Sequence, residues 1–139
     1  DRQGYIGRAL EEIRNHPKIR EVKSSSLITT SPYGGVEQED FLNGAIGLKT
    51  LLSPYELLAF LQSLEQQARR ERKIHWGPRT LDLDILFYEG FVSGDKALTV
   101  PHPDMENRRF VLEPLNELCP WQRHPLTGKT VRQMLKELQ

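Results

Sequence analysis

From residue 5 to 13 the apolar positions Tyr5, Ile6, Ala9, Leu10 and Ile13 recur at helical spacing, and Pro17 closes the segment, which predicts a first amphipathic helix. Residues 22–30 are rich in Ser, Thr and branched side chains without that period, and the breaker run Ser31-Pro32-Tyr33-Gly34-Gly35 follows, so a strand and then a loop are expected. Residues 41–48 interleave two sets: Leu42, Ile46 and Leu48 on a face assigned to the core, and Phe41, Asn43 and Ala45 on the other. Ser53-Pro54-Tyr55-Glu56 has the form of a capping box with Pro at the first helical position, and Leu57, Leu58, Leu61, Leu64 and Ala68 continue it as an apolar stripe. In residues 80–88, Leu81, Leu83, Ile85 and Phe87 alternate with Asp82, Asp84, Leu86 and Tyr88, the period of a strand. Past Gly90 a hairpin or loop is expected, then a short helix within residues 108–118 interrupted near Pro114, and a capped helix over residues 130–138. Helices and strands mixed in this way predict an α+β sandwich whose helices cover one face of a sheet.

Composition narrows the setting. A chain of 139 residues fits one domain that buries roughly two-thirds of its unfolded surface. Lys plus Arg equals Asp plus Glu at 19 each, so no global field draws the protein to nucleic acid or to anionic lipid. The single cysteine, Cys119, makes no internal disulfide, and no apolar run is long enough for a membrane span or a signal peptide. A cytoplasmic setting with neither nucleic acid nor membrane as partner is the expectation. The first residue is Asp1 rather than Met, which suggests a natural chain that begins earlier.

Asp82-Leu83-Asp84 is the feature that carries chemistry. Side chains two apart on a strand leave the same face, so the two carboxylates lie side by side while Leu83 turns inward. Like charges held that close repel unless a cation lies between them. Magnesium suits such a pair, because it takes one or two carboxylates and fills its remaining positions with water and substrate phosphates. The alternative is a solvated strand face, which is the commoner meaning of an isolated D-x-D.

The surrounding run Trp76-Gly77-Pro78-Arg79-Thr80-Leu81-Asp82-Leu83-Asp84-Ile85-Leu86 resembles the signature of the 6-hydroxymethyl-7,8-dihydropterin pyrophosphokinase family. The similarity takes in Phe41-Leu42-Asn43, the helix bearing Gln62 and Glu65, the pair Arg70 and Arg72, and Thr99-Val100-Pro101-His102 through Arg108 and Phe110. It implies a ferredoxin-like α+β sandwich with a mainly antiparallel sheet. It also implies transfer of pyrophosphate from ATP to the hydroxymethyl arm of a reduced pterin, in folate synthesis, with AMP leaving.

Carried over by position, Asp82 and Asp84 would hold two Mg²⁺ ions. Arg70, Arg72, Arg79 and Arg108 would contact phosphates, with Arg70 and Arg79 joining the two carboxylates in catalysis. Gln62, Glu65, Trp76, Thr99 and His102 would complete the ATP site. Phe41 and Phe110 would enclose the pterin ring, and Asn43 and the backbone near Thr30 would meet its hydrogen-bonding edge. The basic run 69–73 also suits a solvated helix end, where positive charge complements the dipole. The resemblance leaves open a fusion to, or association with, another folate-pathway enzyme.

The chain departs from the family in places. It starts after the opening strand and its Gly-containing turn, so that strand is absent from the sequence, and Tyr33, Arg69 and Pro103 stand where other residues are usual. Thr127-Gly128-Lys129-Thr130 resembles the end of a phosphate-binding P-loop, but Arg123 occupies the place of its first glycine, and a turn leading into a Thr130/Gln133 capping box explains it better. Two rival functions fit parts of the pattern. A binding module could use the 69–73 cluster and Trp76 for phosphorylated ligands or single-stranded nucleic acid, which the zero net charge disfavours. A two-metal phosphohydrolase would need further His or carboxylate ligands.

Overall fold

The structure is a computed structural model that describes residues 2–30, 41–71 and 81–138. Helix α1 covers Arg2–Asn15. Strands β1 (Ile19–Ser24), β2 (Ile28–Thr30), β3 (Phe41–Asn43) and β4 (Ile46–Thr50) precede helix α2 (Pro54–Glu71). Strands β5 (Ser93–Asp95) and β6 (Leu98–Val100), a 3₁₀ turn at Met105–Asn107, and helices α3 (Arg109–Leu118) and α4 (Val131–Glu137) complete the order. The class is α+β. Pairing joins β1 to β4, β2 to β3 and β5 to β6. Leu51 N–H donates to Lys18 O at one end of β1–β4 and Ser25 N–H to Ala45 O at the other, so those strands run antiparallel, as do β5 and β6.

The helix ends follow the predicted chemistry. Glu56 N–H donates to Ser53 Oγ at 3.2 Å while Ser53 N–H donates to Glu56 Oε1 at 2.8 Å, a reciprocal capping box opening α2. Those bonds to Ser53 hold the exposed Glu56 carboxyl below its ordinary pKa. Thr130 and Gln133 make the same exchange at the start of α4, with both bonds at 3.1 Å. Helix α3 runs through Pro114 without interruption. The proline removes one donor, to the carbonyl of Phe110 in the exposed first turn, and buries its ring instead.

Three strand expectations are corrected. The segment 22–30 divides into β1 and β2, and 41–48 into β3 and β4; between them Ser25 N–H still donates to Ala45 O, but the Ala45 N–H turns to Ser25 Oγ instead of a backbone carbonyl. Residues 81–87 carry no assigned strand, although their burial alternates as predicted at the start: Leu81 and Ile85 are buried, Asp82 and Asp84 exposed. Alternation follows from which side chains are buried, whereas a ladder needs a distant partner that a local pattern does not specify. Thr80, at the start of that expected strand, lies outside the described residues.

Two compact units are distinguished. The first comprises Asp1–Val22, Thr29–Leu42 and Leu48–Asp84, and its buried residues include Ile13 and Ala9 of α1, Ile19, Leu57, Leu61, Leu64 and Ala68 of α2, and Leu81. The apolar stripe of α2 is thus its buried face. The second comprises Lys23–Ile28, Asn43–Gly47 and Ile85–Gln139, and its core is Met105, Leu112, Leu115, Val131 and Met134. Ala45, expected on the face away from the core, packs half-buried against this second cluster.

Candidate active site

Leu81 and Ile85, on either side of the pair in sequence, are buried, while Asp82 and Asp84 are both exposed. Leu83, between them, donates its N–H to Glu65 Oε2 at 2.7 Å. That bond sits on α2, eighteen residues earlier in the chain, so the helix grips the main chain at the midpoint of the D-x-D. Burial raises the Glu65 pKa above its ordinary value; the Leu83 bond works against the shift, the charges of Asp82 and Asp84 add to it, and Arg69 opposes it. Glu65 thus feels the charge of both aspartates. Gln62 is exposed one turn before Glu65, and Arg70 is exposed near the end of the same helix.

The donor set fits magnesium. Two exposed carboxylates at alternate positions of an extended segment are hard oxygen ligands, the kind of pair a divalent cation neutralises. Among the described residues no group of three or more His, Cys, Asp or Glu side chains gathers as a metal cage. Such a pair suits an ion shared with phosphates, not one enclosed by protein alone.

The second unit carries the other described candidates. Leu86, two residues past Asp84, accepts the His102 N–H at 3.0 Å. His102 Nδ1 lies 3.0 Å from Pro103 O, and since a carbonyl only accepts, Nδ1 carries the proton in the neutral ring. Thr99 Oγ1 donates to Asp95 O at 2.9 Å across the β5–β6 turn. Arg108 Nε is 3.8 Å from Asp104 Oδ2, and its guanidinium carbon lies 5.9 Å from the centre of the Phe110 ring, within cation–π range. A residue predicted for phosphate and one predicted for the pterin are thus in contact.

Phe110 is exposed on the first turn of α3, and Phe41 is exposed on β3, with Asn43 half-buried at the end of the same strand and Thr30 half-buried on its partner β2. Phe41 and Phe110 keep 40% and 39% of their surface open, and aromatic rings so placed suit stacking on a flat ligand. Arg72, Trp76 and Arg79 lie outside the described residues. The structure thus gathers Glu65, Asp82 and Asp84 in one unit, and Arg108 and Phe110 in the other. The grip of Glu65 on Leu83 was missed by the sequence reading, which assigned Glu65 only to ATP. No local signal points to it, since nothing at either position marks a partner eighteen residues away.

Fold and geometry define the class: an α+β protein with an outward two-carboxylate site suited to a hard divalent cation. The chain belongs to the 7,8-dihydro-6-hydroxymethylpterin-pyrophosphokinase family, whose model matches residues 1–120. It is 43% identical over 119 residues to the 2-amino-4-hydroxy-6-hydroxymethyldihydropteridine pyrophosphokinase of Bacillus subtilis, covering 86% of this chain and 71% of that one. With the protein of the same name from Methylorubrum extorquens it shares 38% identity over 138 residues, covering 99% of this chain and 86% of the relative. It is also 48% identical over 118 residues to the bifunctional protein FolKE of Lactococcus lactis, covering 85% of this chain. The chain spans only 34% of the length of that bifunctional relative.

Proposed function

We propose that this protein transfers the pyrophosphoryl group of ATP to 6-hydroxymethyl-7,8-dihydropterin, giving AMP and the pterin diphosphate, a step of folate biosynthesis in the cytoplasm. The observation that carries the reading is the outward pair Asp82 and Asp84, with the amide between them held by Glu65. Names of relatives that state this reaction support it. The whole of residues 1–139 is taken as one catalytic domain.

Phosphoryl-type transfer gains mainly from positioning and charge neutralisation. Asp82 and Asp84 would hold two Mg²⁺ ions, which when bound would supply charge neutralisation on the ATP phosphates. The pterin hydroxyl attacks the β-phosphorus, the bond from that phosphorus to the AMP oxygen breaks, and the hydroxyl proton is released. Arg70, Arg72, Arg79 and Arg108 bind the phosphate oxygens through paired guanidinium donors, and His102 stands near the leaving group. Gln62, Glu65, Trp76 and Thr99 complete the ATP site. Phe41 and Phe110 enclose the pterin ring, and Asn43 with the Thr30 backbone reads its polar edge. The bifunctional name of the Lactococcus relative supports a working association with a second folate-pathway enzyme.

Incubation of the full-length protein with ATP, Mg²⁺ and the hydroxymethyl pterin tests the reading by the nucleotide formed. AMP in step with pterin diphosphate is expected. ADP or free phosphate contradicts it.

A further inference from the structure

In the second unit, two hydrogen bonds tie residues 25–27 to residues 43–45, and a third ties residues 25–27 to helix α3. Ser25 N–H donates to Ala45 O at 2.9 Å, and Ala45 N–H donates back to Ser25 Oγ at 2.8 Å. Ser26 N–H donates to Glu117 Oε2 at 2.8 Å, a bond spanning 91 positions of sequence. The crossing is close: a Cβ on Gly44 would lie 2.9 Å from Leu27 Cδ2 and 3.3 Å from Ser25 Oγ.

The two ends of this arrangement are candidate pterin contacts. Asn43 directly precedes Gly44, and Phe110 is the second residue of α3. Glu117 lies seven residues after Phe110, two helical turns on, so both side chains leave the same face of α3. Ala45 adds an apolar anchor by packing against the cluster that contains Leu112 and Leu115 of that helix. The chain beside Asn43 therefore reaches the helix that presents Phe110 directly through the apolar contact of Ala45, and indirectly through Ser25 and Ser26, whose bonds run to Ala45 and to the Glu117 carboxylate.

We propose that Glu117 is a positioning residue for pterin recognition, holding the Asn43 segment against the helix that carries Phe110. The proposal rests on the pyrophosphokinase reading. Glu117 is exposed and accepts from Ser26, in the unit that also holds the candidate pterin contacts Asn43 and Phe110, so its effect is expected on pterin binding. A misplaced polar edge weakens recognition because an unmet hydrogen bond in a desolvated pocket is costly.

The test measures pterin affinity and ATP-analogue affinity by calorimetry on the full-length protein, for wild type, Glu117→Ala, Glu117→Gln and Ser25→Ala. Glu117→Ala should weaken pterin binding roughly tenfold, as expected for loss of one hydrogen bond to a charged group, and leave ATP-analogue binding within about twofold. Glu117→Gln keeps an acceptor oxygen and should recover most of the loss. Ser25→Ala, which removes the acceptor of the Ala45 N–H, should reproduce the selective loss if Glu117→Ala fails to fold. Unchanged pterin binding in Glu117→Ala, or equal losses for both ligands, overturns the proposal. A wild-type protein that binds no pterin contradicts the underlying function instead.

Discussion

Glu65 accepts the Leu83 backbone N–H at 2.7 Å, so the residue between the two outward aspartates is fastened through its main chain to α2. The carboxylate thus sets the height and rotation of the D-x-D while leaving both neighbouring side chains directed outward.

Removing that acceptor should lower stability. Glu65→Leu leaves the half-buried Leu83 N–H without its acceptor, which costs about 1–3 kcal/mol. Glu65→Gln, whose amide oxygen can still accept, should lose less. Denaturant unfolding at neutral pH measures both, and equal losses would show that the bond to Leu83 is not what the side chain contributes.

The same carboxyl predicts a pH dependence. Its folded pKa is raised, first by burial and further by Asp82 and Asp84, so the folded form binds its proton more tightly than the unfolded form. The stabilisation is fully present below the ordinary value of 4.5 and is lost as pH rises through the raised folded value. Unfolding free energies in metal-free buffer should therefore show wild type losing stability relative to Glu65→Gln across that window. Asp82→Asn should narrow the window, because one of the repelling charges is gone. Glu56 has the opposite sign: its bonds to Ser53 depress its pKa, and its contribution is lost as pH falls below 4.5.

Much of this was legible in the sequence, and the parts that were not share a cause. The two capping boxes were readable because Ser53/Glu56 and Thr130/Gln133 make their exchanges within four residues. The buried stripe of α2 and the outward pair at Asp82 and Asp84 follow from periodicity alone. The break at Gly44 had a local sign, since a glycine inside a strand pattern marks a bulge or a close approach, and here Leu27 and Ser25 make that approach. The missing ladder at 81–87, the Glu65–Leu83 bond and the Glu117–Ser26 bond had none, since each depends on partners far away in the chain. Pro114 misled because its usual effect, loss of one helical bond, falls where the affected carbonyl belongs to an exposed turn.

The pterin pocket should separate from the ATP site by mutation. Phe110→Ala removes a stacking surface and Asn43→Ala a polar partner, so each should weaken pterin binding roughly tenfold or more while ATP-analogue binding changes little. Because Arg108 lies over Phe110, Phe110→Ala also releases that guanidinium and should change the salt dependence of ATP-analogue binding. Calorimetry with each ligand at two salt concentrations measures both effects. Equal losses for the two ligands would assign these side chains to the fold.

The most direct test of the whole account follows a label in the β-phosphorus of ATP through one turnover of the full-length protein, for wild type, Asp82→Ala and Asp84→Ala. Wild type should deliver the label to the pterin product and leave AMP unlabelled, and each alanine variant should remain folded but lose at least about a hundredfold in rate, as expected when a carboxylate that places the metals is lost. Label retained in ADP, or label transfer by either variant at the wild-type rate, would contradict the assignment of Asp82 and Asp84 as the centre of a pyrophosphoryl-transfer site.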